Sequence, residues 1–314
     1  MPVLSVSHLT KSYAPERKGL FANLFSKSSA PTTVGADNGD TSATHISGVR
    51  PAIKNINLEV QAGDIFAFIG PNGAGKTTTI KAIVGIHPFE AGTITINGHS
   101  IKTDALAAKR CFSYLPDNPD LYEYLKAIDY LYFIADIYQV DRTHAKKIAS
   151  QYADAFEITS KLDNKISSFS HGMKQKLAIV AALLHEPQLL ILDEPFVGLD
   201  PQATLNFKEI MHDMCRKGAA VFYSTHVLEV AEKLCNKAAI IKQGEIIMQG
   251  TMQEITQGAS LESAFMKEID YTPRSATKKI DEADTNDADG GTDYDSTATD
   301  TDYNNYSSSI EEER

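Results

Sequence analysis

Gly70-Pro71-Asn72-Gly73-Ala74-Gly75-Lys76-Thr77 fits G-x-x-x-x-G-K-[ST] and stands between the apolar run Ile65–Ile69 and a helix-like stretch, 76–86. A strand, a glycine loop and then a helix is the context that a phosphate-cradling loop requires. Glycines let backbone N–H groups turn inward around an anion, where a Cβ would block close approach. The helix adds the positive end of its dipole. On this reading Lys76 reaches the β- and γ-phosphates of a nucleotide, and the Thr77 hydroxyl ligates Mg2+. Thr78 completes the nucleotide-binding set.

A second element answers the first. Leu189-Leu190-Ile191-Leu192 is an apolar strand that ends in two carboxylates, Asp193 and Glu194, 117 residues beyond Lys76. A buried strand ending in acid sets Asp193 beside Thr77 and the metal. Glu194 is then free to act on a water near the γ-phosphate, as general base or as orienting group.

The rest of the pattern gives these two elements a frame. Val3–Val6 and Ile53–Val60 alternate as half-buried strands do. Ile94–Ile96 reads as a strand closed by Asn97-Gly98, and 104–160 as mainly helical around a strand at Phe112–Leu115. Helices follow at 172–184, at Pro201–Lys217 and at Val227–Leu234, with strands at Leu189–Leu192 and Ala219–Tyr223. Ala238–Ile241 and Glu245–Met248 pair around Gln243-Gly244, before a short helix near 261–269. Strands alternating with helices give an α/β fold with a parallel sheet.

Phosphate loops are widespread, so the residues just ahead of the acidic strand carry more information. Phe169-Ser170-His171-Gly172-Met173-Lys174-Gln175 resembles the signature motif of ATP-binding cassette (ABC) ATPases, usually L-S-G-G-Q. Val197-Gly198-Leu199-Asp200-Pro201 is similar to that family's D-loop, and Ser224-Thr225-His226 to its H-loop. Tyr13, after Leu9-Thr10-Lys11-Ser12, resembles the aromatic that stacks on adenine. The resemblance spans residues 3–269, with the motifs in the family's order.

It implies a P-loop NTPase core with a parallel sheet, an antiparallel β-subdomain and a helical signature subdomain. It implies ATP and Mg2+ as ligands, and ATP hydrolysis coupled to transport. In ABC proteins two cassettes meet head to tail, so Ser170 and Gly172 are expected to act across a dimer, and Asp200 of the D-loop is expected to belong to the nucleotide-binding set. His226 is expected to contact the γ-phosphate and hold the attacking water with Glu194. The expected partners are separately encoded polytopic membrane subunits, at the cytoplasmic face of the cell membrane. The alternatives are a soluble ABC ATPase and a membrane-associated regulator without transport.

Two departures stand out. His171 and Met173 occupy signature positions usually held by Gly and Gln, a form similar to antibiotic, sodium and Ecs-like export cassettes. After Tyr114-Leu115-Pro116 the family's glutamine is replaced by Asp117, still an oxygen ligand within reach of Mg2+ or its water. The Pro116-Asp117-Asn118-Pro119 loop likewise resembles exporter-type cassettes.

Charge and composition bound the partners. The formal net charge is −11, yet residues 281–314 hold twelve Asp or Glu against one Arg. The remainder is near neutral, without the polybasic footprint of a nucleic-acid binder. Cys111, Cys215 and Cys235 lack metal-type spacing, which suits a reduced, cytosolic setting. Met1–Thr10 shows no secretory leader, and no run approaches the roughly 18 apolar residues of a membrane span. The expected organisation is an ATPase domain over 1–270 with a flexible insert at 15–50, then an acidic, disordered tail, 271–314. Within the insert, Leu20, Phe21, Leu24 and Phe25 cluster beside Arg17, Lys18 and Lys27. Such a segment either packs on the β-subdomain or lies on lipid or a membrane subunit.

Overall fold

The computed structural model describes residues 1–13 and 51–268. The 15–50 insert with its Lys18–Phe25 segment, and the tail from 271, lie outside the described residues.

In chain order the elements are β1 (Leu4–Ser12), β2 (Pro51–Val60), β3 (Ile65–Ile69), α1 (Lys76–Ile83), β4 (Ala91–Ile96) and β5 (His99–Ser100). Next come α2 (Ala105–Arg110), β6 (Phe112–Leu115), α3 (Ala127–Ile137), α4 (Arg142–Ala155), α5 (His171–Leu183) and β7 (Leu189–Asp193). Then follow α6 (Pro201–Arg216), β8 (Ala220–Thr225), α7 (Leu228–Leu234), β9 (Lys237–Lys242), β10 (Glu245–Thr251), α8 (Met252–Thr256) and α9 (Leu261–Glu268).

These strands make two sheets. One is antiparallel, in the order β2-β1-β4-β5. The other runs β10-β9-β3-β8-β7-β6, parallel throughout except for the antiparallel edge strand β10. Every residue of β3, β7 and β8 is buried, as continuous apolar runs demand when both faces are covered. Along β3 the faces alternate. Ile65, Ala67 and Ile69 join the cluster under α3 to α6, while Phe66 and Phe68 join the one under α1 and the antiparallel sheet. The β9–β10 hairpin turns at Gln243-Gly244, both with positive φ (50° and 86°), as a two-residue hairpin turn requires.

Capping sets where the helices begin. Asp141 accepts from the N–H groups of Thr143 and His144 at the start of α4 (2.9 and 3.1 Å). Ser170 does the same for α5 through Met173 N–H (3.3 Å), and Asp200 for α6 through Ala203 N–H (2.8 Å). Among the described residues no helix is long and apolar enough to cross a membrane.

The first strand is longer than its apolar alternation suggests. Its pairing with β2 shifts between Val6 and Leu9, where His8 takes φ 52° and its N–H goes to the Asn57 side chain (2.8 Å). This bulge resets the in–out order, so the period-2 signal stops at Val6 while the strand runs on to Ser12. The 104–160 stretch is mainly helical around β6, as its pattern predicts, with α2 before that strand and α3 and α4 after it.

Candidate nucleotide-binding site

β3 delivers the chain into the Gly70–Gly75 loop, and α1 begins at Lys76. The loop is seated tightly. A Cβ at Gly70 would come within 2.4 Å of the Ile241 carbonyl oxygen, and Gly75 takes φ 111°. Ala74 N–H closes the turn on Pro71 O (3.1 Å), and Gly244 N–H anchors it on Ala74 O (2.8 Å).

Lys76 is buried, and its Nζ donates to the carbonyls of Gly70 (2.7 Å) and Pro71 (3.3 Å). Desolvation pulls its pKa below the ordinary lysine value, opposed by the charges of Glu194 and Asp193. The ammonium is therefore held against the loop's own oxygens, facing two carboxylates.

Those carboxylates come from the end of β7. Asp193 is buried, and its Oδ1 accepts from the Ser224 hydroxyl on neighbouring β8. Its Oδ2 is buried with no hydrogen-bond partner. Glu194 follows at φ 48°, the left-handed region that costs a side-chain-bearing residue free energy and recurs at functional sites. Its Oε1 lies 2.8 Å from His226 Nδ1, just beyond β8. Asp117, after β6, accepts from Asn118 N–H (2.9 Å).

Lys76, Thr77, Thr78, Asp117, Asp193 and Glu194 face one cavity of about 300 Å³, together with the loop at Asn72, Gly73 and Gly75. Tyr13 stands beside it, half exposed, with its hydroxyl 3.5 Å from Thr78 Oγ1 and its ring edge-on to His87. Ser170, Gly172 and Asp200 do not line this cavity; they gather at the start of α5 and α6. There the Ser170 and Asp200 side chains serve as caps, and Lys176 Nζ pairs with Asp200 (2.5 Å). Gly172 packs so closely that a Cβ would lie 2.8 Å from Gly198 O, and the His171 ring covers Gly198. Gln175 Nε2 reaches Pro195 O (3.3 Å), joining this group to the residue after Glu194.

The cavity suits a hard cation. The orphaned Asp193 Oδ2 is a buried acceptor awaiting a partner, and the Thr77 hydroxyl lines the same space. Among the described residues no three His, Cys, Asp or Glu side chains converge as a metal cage. Asp193 and Thr77 would hold such an ion from one side, and Mg2+ commonly needs few protein ligands. Sequence reasoning missed two supports, Ser224 beneath Asp193 and Lys176 beneath Asp200. Neither residue type signals such a role without the pairing of β7 with β8 or the docking of α5.

Comparison with known proteins fixes the family. The sequence family described as ABC transporter matches residues 53–197. The ABC-type transporter ATP-binding protein EcsA of Bacillus subtilis (strain 168) is 35% identical over 219 residues, 70% of this chain and 89% of that one. The chain belongs to the ABC transporter family.

The linearmycin resistance ATP-binding protein LnrL of the same organism is 38% identical over 208 residues, 66% of this chain and 67% of that one. A solved ATP-binding subunit of an ABC transporter superposes with TM-score 0.71 at 31% identity, over 85% of this chain and 99% of that one. A dimeric, post-hydrolysis ATP-binding cassette bound to ADP and Pi shares the fold, with TM-score 0.63 at 20% identity over 79% and 98% of the two chains. This ABC protein is thus an ATP-binding subunit of transporter type and an ATPase, on an α/β fold with parallel and antiparallel sheets.

Proposed function

We propose that this ABC subunit pairs head to tail with a second cassette on separately encoded, polytopic membrane subunits, and drives export from the cytoplasmic face of the cell membrane. The observation that carries the catalytic half is the convergence of Lys76, Asp193 and Glu194 on one cavity, with His226 bonded to Glu194. The export half rests on His171 and Met173 in the signature, on the Pro116–Pro119 loop, and on likeness to a protein named for linearmycin resistance.

In this reading Tyr13 stacks on adenine. The backbone from Gly70 to Gly75, with Thr78, cradles the phosphates, and Lys76 holds the β- and γ-phosphates. Thr77, Asp193 and Asp117 are the residues that would hold Mg2+, which would supply positive charge against the phosphate oxygens. Glu194 takes or orients the proton of a water, and His226 fixes that carboxylate by their shared hydrogen bond. Ser170, Gly172 and Asp200 serve the partner cassette's nucleotide, with the α5 N-terminus offering its dipole to the γ-phosphate.

Membranes solubilised in mild detergent test the assembly. Affinity capture of this chain brings down a polytopic membrane protein, whose lipid-reconstituted complex hydrolyses ATP faster when a transported compound is added. Recovery of the chain in the soluble fraction, free of membrane protein, overturns the transport half and favours a soluble ABC ATPase.

A further inference from the structure

We propose that Asp117 makes this site reject metal-free nucleotide, so that ATP enters as its divalent-cation complex. The inference deepens the proposed function and rests on reading Thr77, Asp193 and Asp117 as the cation side of the cavity, with the charge of Asp117 also felt by a nucleotide that arrives without a cation. Its starting point is a count of charges. Among the described residues lining the cavity, Lys76 is the one cation against three carboxylates, Asp117, Asp193 and Glu194.

Lys76 offers less than a free ammonium would. Its Nζ is already engaged by two loop carbonyls, and the side chain is buried. Asp193 and Asp117 share a neighbourhood: the Tyr114 phenol on β6 is pushed up first by burial, then by the charges of both. A polyphosphate without a cation therefore meets more negative charge than positive. A divalent ion reverses that balance, and the site holds an acceptor for it in Asp193 Oδ2, buried and without a hydrogen-bond partner. The side chain at 117 tunes how strongly the balance is felt. A neutral side chain there removes one repulsive charge, whereas Asp117 keeps it.

Asp117 is exposed and its one described hydrogen bond is to the adjacent Asn118 N–H, so its replacement leaves the fold intact. The probe is the non-hydrolysable imido analogue of ATP, titrated calorimetrically into the full chain with excess magnesium chloride or with EDTA. One carboxylate beside a polyphosphate at a partly exposed site changes affinity on the order of fivefold to tenfold. The wild-type preference for the magnesium complex is expected to shrink by that factor in Asp117→Asn, through tighter metal-free binding. Asp117→Glu is expected to keep it. An Asp117→Asn preference equal to wild type, or reduced only by weaker binding of the magnesium complex, overturns the proposal. Thr77→Ala runs in parallel: if it leaves the magnesium preference untouched, the reading of the cation side fails as well. If Thr77→Ala weakens binding of the magnesium complex while Asp117→Asn changes nothing, the charge-gating idea alone is wrong.

Discussion

His226 Nδ1 and Glu194 Oε1 lie 2.8 Å apart, joining the residue after β7 to the residue after β8. Because the parallel pairing sets Asp193 opposite Ser224, Glu194 and His226 leave adjacent strands within one residue of the same level. Glu194→Gln keeps the geometry and removes the basic oxygen. ATP affinity should stay within a few-fold, while steady-state phosphate release falls by about a hundredfold or more. Lys76→Ala gives the opposite split, with affinity lost first. Calorimetric binding alongside a phosphate-release assay separates the two, and near-wild-type turnover in Glu194→Gln removes Glu194 from its role.

Tyr13 carries the adenine prediction. Its half-exposed ring stands next to Thr78, with His87 meeting it edge-on at 5.9 Å and the Lys11 ammonium over it at 5.3 Å. Base–aromatic stacking contributes about 1–3 kcal/mol. Tyr13→Ala should weaken ATP binding about tenfold, and Tyr13→Trp should restore it. Equal loss in both variants would point to the Thr78 contact rather than to the ring.

His185 makes the protein's stability depend on pH. Its ring lies flat on Tyr138 (3.6 Å between centroids, 11° between planes), and burial pulls its pKa from 6.5 down to about 4. The folded state thus resists protonation that the unfolded chain accepts. The contribution is whole above the unfolded value and is lost as pH falls through the window from 6.5 to about 4. Between pH 7 and pH 5 this one group should cost on the order of 1–2 kcal/mol. Urea unfolding at both pH values should show that loss in wild type, and a correspondingly smaller one in His185→Phe. The same loss in both proteins would assign the effect to other groups.

What could be read from the chain alone follows from which contacts are local. β3, the loop and α1 are consecutive, and their apolar run, glycines and Lys76 announce themselves in order. β7 was equally plain, since burial on both faces leaves only apolar residues before Asp193. The His8 bulge was hidden because its support, Asn57, lies 49 residues away. The Lys176–Asp200 pair and the seating of His171 on Gly198 depend on α5 docking against the loop after β7, which periodicity does not encode. Asp117 is legible as a departure from a motif, and the resemblance already sets it near the cation that Asp193 faces. Ser170 and Gly172 lie at the head of α5 and do not line the cavity.

The position of β3 has a consequence for amide hydrogen exchange. It lies between β9 and β8, inside the six-stranded sheet, and its side chains enter both apolar clusters. No local opening can free its amides without parting two strand pairs and two cores at once, so they should exchange only through global unfolding. The loop that must present its N–H groups to phosphate is therefore hung from the slowest-exchanging part of the molecule. A site built on that strand takes its steadiness from there, whereas Asp117 and Tyr13 stand on the loop after β6 and just past the end of β1.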